Sequence, residues 1–374
     1  MKYFDTYTSN TIAASANQHT FTMEKGEVRT GRVFYKILSG GTYNYSLLFS
    51  NIIDSTYADG SVSHKNLVVD EWEILEAKLA VFDKDAVSEN FMEDDAATEI
   101  NNQSVNFTQL TFDGKITKTV LPGEFFSSDP ISLTIQEDEY LCLEITFKGN
   151  TIPYHEESFL PVFTKTDKGW IYDRRMPFAG MVGCDRPAKL RVGFIGDSIT
   201  QGIGVPHNSY KHWNAELTKK LSPEYAYWNL GIGYARATDM ATDGAWAFKA
   251  KNNDVVVVCL GVNDTFHGNT EAQLTQALDD IVNFLKKRGI KIILQTIPPF
   301  GYEGEKIDMW KNVNHYIKTE LSTKVDMVFD VVPYLQMNSE NSHIAKFEGH
   351  PNAEGCKIWA EELLKTINSS HIFD

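Results

Sequence analysis

Apolar and polar residues alternate one by one over short stretches in the first half of the chain. In Ile131-Ser132-Leu133-Thr134-Ile135 every second residue is apolar, and Leu141, Leu143, Ile145 and Phe147 repeat the pattern. A period of two suits a strand with one face on a core and the other in water. Further β-rich stretches at 32–38, 43–49, 72–82 and 105–112 are separated by clusters of Gly, Asn, Asp and Ser, the residues that turn a chain. This half predicts an all-β sandwich.

Beyond Arg186-Pro187 the pattern changes. Short unbroken apolar runs at 190–195, 225–230, 255–260, 292–297 and 327–332 alternate with helical stretches, as in a parallel sheet covered on both faces. Between the third and fourth runs, Leu274, Leu278, Ile281 and Leu285 recur at helical spacing within 270–288 and form one core-facing stripe. The segment 352–367, with Ile358, Leu363, Leu364 and Ile367, reads as a closing helix. A chain of 374 residues exceeds what one hydrophobic core fills. The expected division is a β-sandwich accessory domain over 1–185 and an α/β domain over 186–374.

Charge narrows the choice of partner. A formal net charge of −15 with scattered Lys and Arg lacks the basic cluster that phosphate recognition requires. Nucleic acid is therefore excluded, and neutral substrates suit an acidic surface better than polyanions. Cys142, Cys184, Cys259 and Cys356 have no CxxC spacing, so they read as small buried hydrophobes and not as a metal site or disulfide framework. No apolar run approaches the roughly 20 residues needed to cross a bilayer. The polar start after Met1 shows no secretory segment, and a cytoplasmic location is expected.

The chemistry gathers at loop ends. The first strand of the α/β half runs into Gly196-Asp197-Ser198-Ile199-Thr200-Gln201-Gly202, and the third into Leu260-Gly261-Val262-Asn263-Asp264. Both lie at the carboxyl edge of the sheet, where open α/β folds bind ligands. Ser198 has an alternative explanation as a helix N-cap, and Asn263 and Asp264 one as turn residues. The second strand ends in Asn229-Leu230-Gly231-Ile232-Gly233-Tyr234, and Glu348-Gly349-His350-Pro351-Asn352 precedes the last helix.

In order and spacing these four segments resemble the sequence blocks of the SGNH hydrolases, the GDSL lipase and acylhydrolase superfamily, over about half the chain. The resemblance implies a flavodoxin-like three-layer α/β domain and a serine esterase without metal or organic cofactor. It assigns Ser198 as nucleophile and His350 as general base. Asn263 would give a side-chain N–H to the oxyanion, together with backbone N–H groups at Ser198 and at Gly233 or Tyr234. A Ser hydroxyl is a weak nucleophile until a neighbouring imidazole takes its proton, and the tetrahedral oxyanion then needs preorganised donors.

Two positions depart from the family pattern. Tyr234 stands where a Gly is usual, five residues after Asn229, so either its own N–H or that of Gly233 completes the oxyanion hole. Phe347 stands where an Asp usually orients the catalytic His, leaving Glu348 or a backbone carbonyl for that task. The first half loosely resembles the jelly-roll-like sandwich that precedes the hydrolase domain in some bacterial carbohydrate esterases. An acetylated saccharide is therefore the leading substrate. A lipid ester or thioester keeps the same residues, and a catalytically weak carbohydrate-binding protein is the reading that the loss of Asp at Phe347 motivates. Tyr154, Trp170 and Tyr172 would serve either as sugar-stacking rings or as interface cement.

Overall fold

The computed structural model describes residues 2–55, 65–88, 91–92, 105–156, 158–241, 243–335, 345–346 and 349–373. The chain forms two compact units. The first comprises Met1–Asp54, Asn66–Pro187 and His207–Ser209, and the second Ser55–Lys65, Ala188–Pro206 and Tyr210–Asp374.

Antiparallel sheets dominate the first unit. Among the described residues, Gly41–Ser50 is the hub of a five-stranded sheet that pairs it with Phe125–Ser127, Ile131–Ile135 and Met181–Cys184. Tyr140–Gly149 lies inside a seven-stranded sheet, between Arg29–Lys36 and Trp72–Phe82. The strands at 72–82 and 131–135 begin and end where the alternation does, whereas the 105–112 stretch contributes only Thr108–Leu110. Leu141, Leu143, Ile145 and Phe147 are buried, as a one-sided strand predicts, but so are Tyr140 and Cys142 on the opposite face. Those two join Phe34, Phe82, Phe91 and Phe163 in a second apolar cluster. A strand paired along both edges can bury both faces where side chains from neighbouring segments cover it.

Tyr154, Trp170 and Tyr172 are packed within this unit. The Arg32 guanidinium lies 4.3 Å over the Trp170 ring, Tyr172 meets Phe91 at 5.7 Å, and Tyr154 meets Phe21 edge-on at 5.4 Å. Trp170 is only 7% exposed, too little to offer a face to a sugar.

The second unit is built on a five-stranded parallel sheet: Leu190–Gly196, Tyr225–Gly231, Val255–Cys259, Lys291–Gln295 and Met327–Phe329 in chain order. In space the order is second, first, third, fourth, fifth. The direction of winding reverses between the first and third strands, so the crevice at their carboxyl ends is the place for a ligand. Its helices pack in two groups. Trp213–Thr218 and Val332–Leu335 both meet Ala353–Ser370, while Ala237–Met240, Val262–Phe266, Glu271–Lys286 and Glu305–Thr319 pack among themselves.

Local chemistry explains the helix ends. Thr270 caps Glu271–Lys286 by accepting from the Gln273 N–H (3.2 Å), and the Gln273 side chain accepts from the Thr270 N–H (2.8 Å), a reciprocal capping box. Asn352 caps the closing helix, its Oδ1 accepting from the N–H groups of Glu354 and Gly355. That helix is tied to the sheet by Trp359, which stacks on Trp213 at 5.0 Å and donates its indole N–H to Gln295 Oε1 at 2.7 Å. Gln295 ends the fourth strand, so this bond ties the second turn of the closing helix to the carboxyl edge of the sheet. All four cysteines are free and buried. No helix among the described residues is long and apolar enough to cross a membrane.

Candidate active site

Strand Leu190–Gly196 passes directly into the short helix Ser198–Gln201. Asp197, not Ser198, is its N-cap, with Oδ1 accepting from the Ile199 N–H at 3.0 Å. The alternative reading of Ser198 as a cap thus gives way, because the preceding carboxylate performs that task. The turn is tight enough that a Cβ on Gly196 would stand 1.9 Å from Thr200 Oγ1. Only a residue without a side chain lets the helix sit so close to the strand end.

Ser198 Oγ and His350 Nε2 lie 2.9 Å apart, although 152 residues separate them in the chain. Both residues are half-buried. For Nε2 to accept the hydroxyl proton, the imidazole carries its own proton on Nδ1. His350 stands in the short strand His350–Pro351, paired with Ala345–Lys346, and its ring packs edge-on against Phe300 at 5.0 Å. Gly204, at φ +107°, lies beneath that strand, where a Cβ would come within 2.4 Å of the Pro351 carbonyl oxygen. Glu348 and Phe347 lie outside the described residues.

Asn263 is the second residue of helix Val262–Phe266, at the end of the third strand, and is buried. Its Nδ2 donates to the Ala235 carbonyl at 3.0 Å. Of the two candidate backbone donors, Gly233 gives its N–H to Gln201 Oε1, and Tyr234 occupies the left-handed region at φ +60°. An L-residue rarely adopts that conformation. Ser198 and Asn263 therefore stand in the helices that follow the first and third strands, His350 reaches Ser198 from its short strand, and the 233–235 turn is bonded to Gln201 and Asn263.

Residues 194–358 match the family described as GDSL-like Lipase/Acylhydrolase. This segment is a GDSL-like lipase/acylhydrolase domain. An acetylxylan esterase from Xylanibacter ruminicola is 26% identical over 210 residues, 48% of this chain and 43% of that protein. The match thus spans less than half the length of this curated relative. Among solved structures, a lipolytic protein of the G-D-S-L family from Veillonella parvula is 18% identical over 48% of this chain and 98% of its own, with a TM-score of 0.41. An acetylxylan esterase from Geobacillus stearothermophilus is 20% identical over 49% and 95%, with a TM-score of 0.39.

Behind the crevice the GDSL-like domain holds buried carboxyls that the sequence reading left without a role. Burial pushes Asp197 up to about 7, and the charge of Asp264 adds to the rise, while the hydrogen bond from Ile199 opposes it. Burial likewise raises Asp264 to about 6 against hydrogen bonds from Ala237 and Thr238, with Asp239 adding to the rise. A carboxyl whose folded value stands above its ordinary 3.8 binds more protons in the folded chain than in the unfolded one. The stability it contributes is present below the unfolded value and is lost as pH rises through the folded one. Asp197→Asn keeps an equally good cap oxygen and removes the buried charge. The variant is expected to melt higher than the wild type at pH 8 and together with it near pH 4, in thermal unfolding followed by circular dichroism. A constant difference across that range would show that Asp197 is not the group responsible.

Gln201, Asp197 and Asp264 stand inside the same motifs as Ser198 and Asn263. For Gln201 and Asp264 that position is the only signal the sequence carries, since each acts through a partner distant in the chain; Asp197 acts on Ile199, two residues on, within reach of local capping chemistry.

Proposed function

We propose that the chain is a serine esterase that removes small acyl groups, acetyl foremost, from a saccharide. The separation of 2.9 Å between Ser198 Oγ and His350 Nε2 carries this reading, since that is the contact a general base needs with its nucleophile. His350 takes the hydroxyl proton as Ser198 Oγ bonds to the ester carbonyl carbon, and the carbonyl oxygen becomes an oxyanion. The Asn263 side chain and the backbone N–H groups of Ser198 and Tyr234 receive that charge. Collapse breaks the bond to the alcohol oxygen, which leaves with the proton from His350. Water then attacks acyl-Ser198 with His350 again as base, releasing the carboxylic acid and restoring the hydroxyl.

The choice of Tyr234 over Gly233 rests on the bond that Gly233 already makes to Gln201. A backbone donor does not depend on its side chain, so Tyr234→Gly is expected to keep kcat within about threefold and to leave stability unchanged or raised, because Gly adopts positive φ without strain. Tyr234→Val, β-branched, should melt lower. Equal melting temperatures for the two would argue against the left-handed conformation.

Acetyl and saccharide are favoured by the acetylxylan esterase relative. We assign the first unit as a jelly-roll-like β-sandwich accessory domain, on its five- and seven-stranded antiparallel sheets. Labelling by a fluorophosphonate probe, with turnover of 4-nitrophenyl acetate and octanoate and of acetylated xylo-oligosaccharides, tests the proposal. Preference for acetyl supports it, and preference for octanoyl favours the lipid-ester reading. Absence of labelling in the wild type would leave the carbohydrate-binding reading in its place.

A further inference from the structure

We infer that Asp264 is a positioning residue for the oxyanion hole, acting by clamping the turn that carries Tyr234. This rests on the esterase reading above. Asp264 is fully buried at 0% exposure, and its carboxylate faces the start of helix Ala237–Met240. Oδ2 accepts from the Ala237 N–H at 2.7 Å, and Oδ1 from the Thr238 N–H at 3.3 Å and the Thr238 hydroxyl at 3.2 Å. Those first-turn amides have no partner inside their own helix. Only an acceptor-only group satisfies two N–H donors and a hydroxyl together, which is a reason for Asp here and not Asn.

The neighbouring residue completes the clamp. Asn263 donates to the Ala235 carbonyl, so two successive residues of one helix hold the chain at 235, 237 and 238. From the other side Gln201, on the helix begun by Ser198, accepts from the Gly233 N–H. Tyr234 is bracketed between these anchors. A Tyr at φ +60° persists only where its surroundings over-determine it, and Asp264 supplies the larger number of those restraints. A cap serving helix stability alone would not need to stand beside the residue that gives the side-chain donor.

The test uses the full chain with Asp264→Ala and Asp264→Asn, steady-state kinetics on 4-nitrophenyl acetate, and hydrogen exchange of the peptide spanning 232–240. For Asp264→Ala, kcat should fall about 100-fold, comparable to loss of one oxyanion donor, with KM within about threefold. Exchange in that peptide should quicken about tenfold as the local opening free energy drops. Asp264→Asn keeps one acceptor for Ala237 and should recover roughly a tenth of wild-type kcat. If the Ala variant does not fold, the Asn variant carries both measurements. Unchanged exchange, or a lowered melting temperature with kcat near wild type, would overturn the inference. If the wild type hydrolyses no ester, the esterase reading fails by itself, and the exchange result still decides whether Asp264 holds the turn.

Discussion

Ser198→Ala is expected to reduce kcat on 4-nitrophenyl acetate by about 10⁴-fold or more and to abolish fluorophosphonate labelling. His350→Ala should cost about as much, and the double variant little more than either alone. A nucleophile and its base act as one unit, so removing either disables the same step. The 2.9 Å contact is what makes this non-additivity a specific expectation. Both variants should melt close to the wild type, because the two side chains are half-buried and lie outside the main core. Retention of a tenth of the activity by Ser198→Ala would place the chemistry elsewhere.

The second large effect is expected at Asn263. Asn263→Ala should lower kcat about 10²- to 10³-fold with little change in KM, the signature of a donor that serves the transition state more than the bound ester. It also leaves the Ala235 carbonyl without the bond from Nδ2, which should lower stability by about 1–3 kcal/mol in urea unfolding. Asn263→Asp keeps the shape but turns a donor into an acceptor and adds a carboxyl directly before Asp264, whose charge already meets those of Asp197 and Asp239. It should be at least as damaging to kcat as the Ala variant. A change in KM alone for either variant would mean that Asn263 holds the substrate without assisting the reaction.

These expectations separate the role of the nucleophile pair from that of the electrostatic cradle. The clamp at Asp264 belongs to the second group, since it would set where a donor points without contacting substrate.

Much of this molecule was legible from local pattern. The strands at 72–82 and 131–135 and the stripe of helix Glu271–Lys286 follow from side-chain periodicity, because the pleat and the helix impose periods of two and 3.6 on whichever residues face a core. The closing helix begins after Asn352 as its capping chemistry requires. Ends set by tertiary contacts were read less well. The fourth and fifth parallel strands stop at Gln295 and Phe329, short of the apolar runs that announced them, and Val332 begins a helix instead. Helix Glu305–Thr319 buries only Val313, Asn314 and Ile317, too thin a stripe to delimit from sequence.

At the site the division is sharper. The residue types at the strand ends can be read along the chain, and through them the family resemblance that singled out Ser198, Asn263 and His350. Folding alone sets Ser198 Oγ beside His350 Nε2, places Gln201 on the Gly233 N–H and turns Asp264 toward Ala237 and Thr238. Periodicity and capping are short-range and recur wherever their residues do. A hydrogen bond between groups 27, 32 or 152 positions apart exists only after packing has fixed two backbones against each other, and no local pattern encodes that distance.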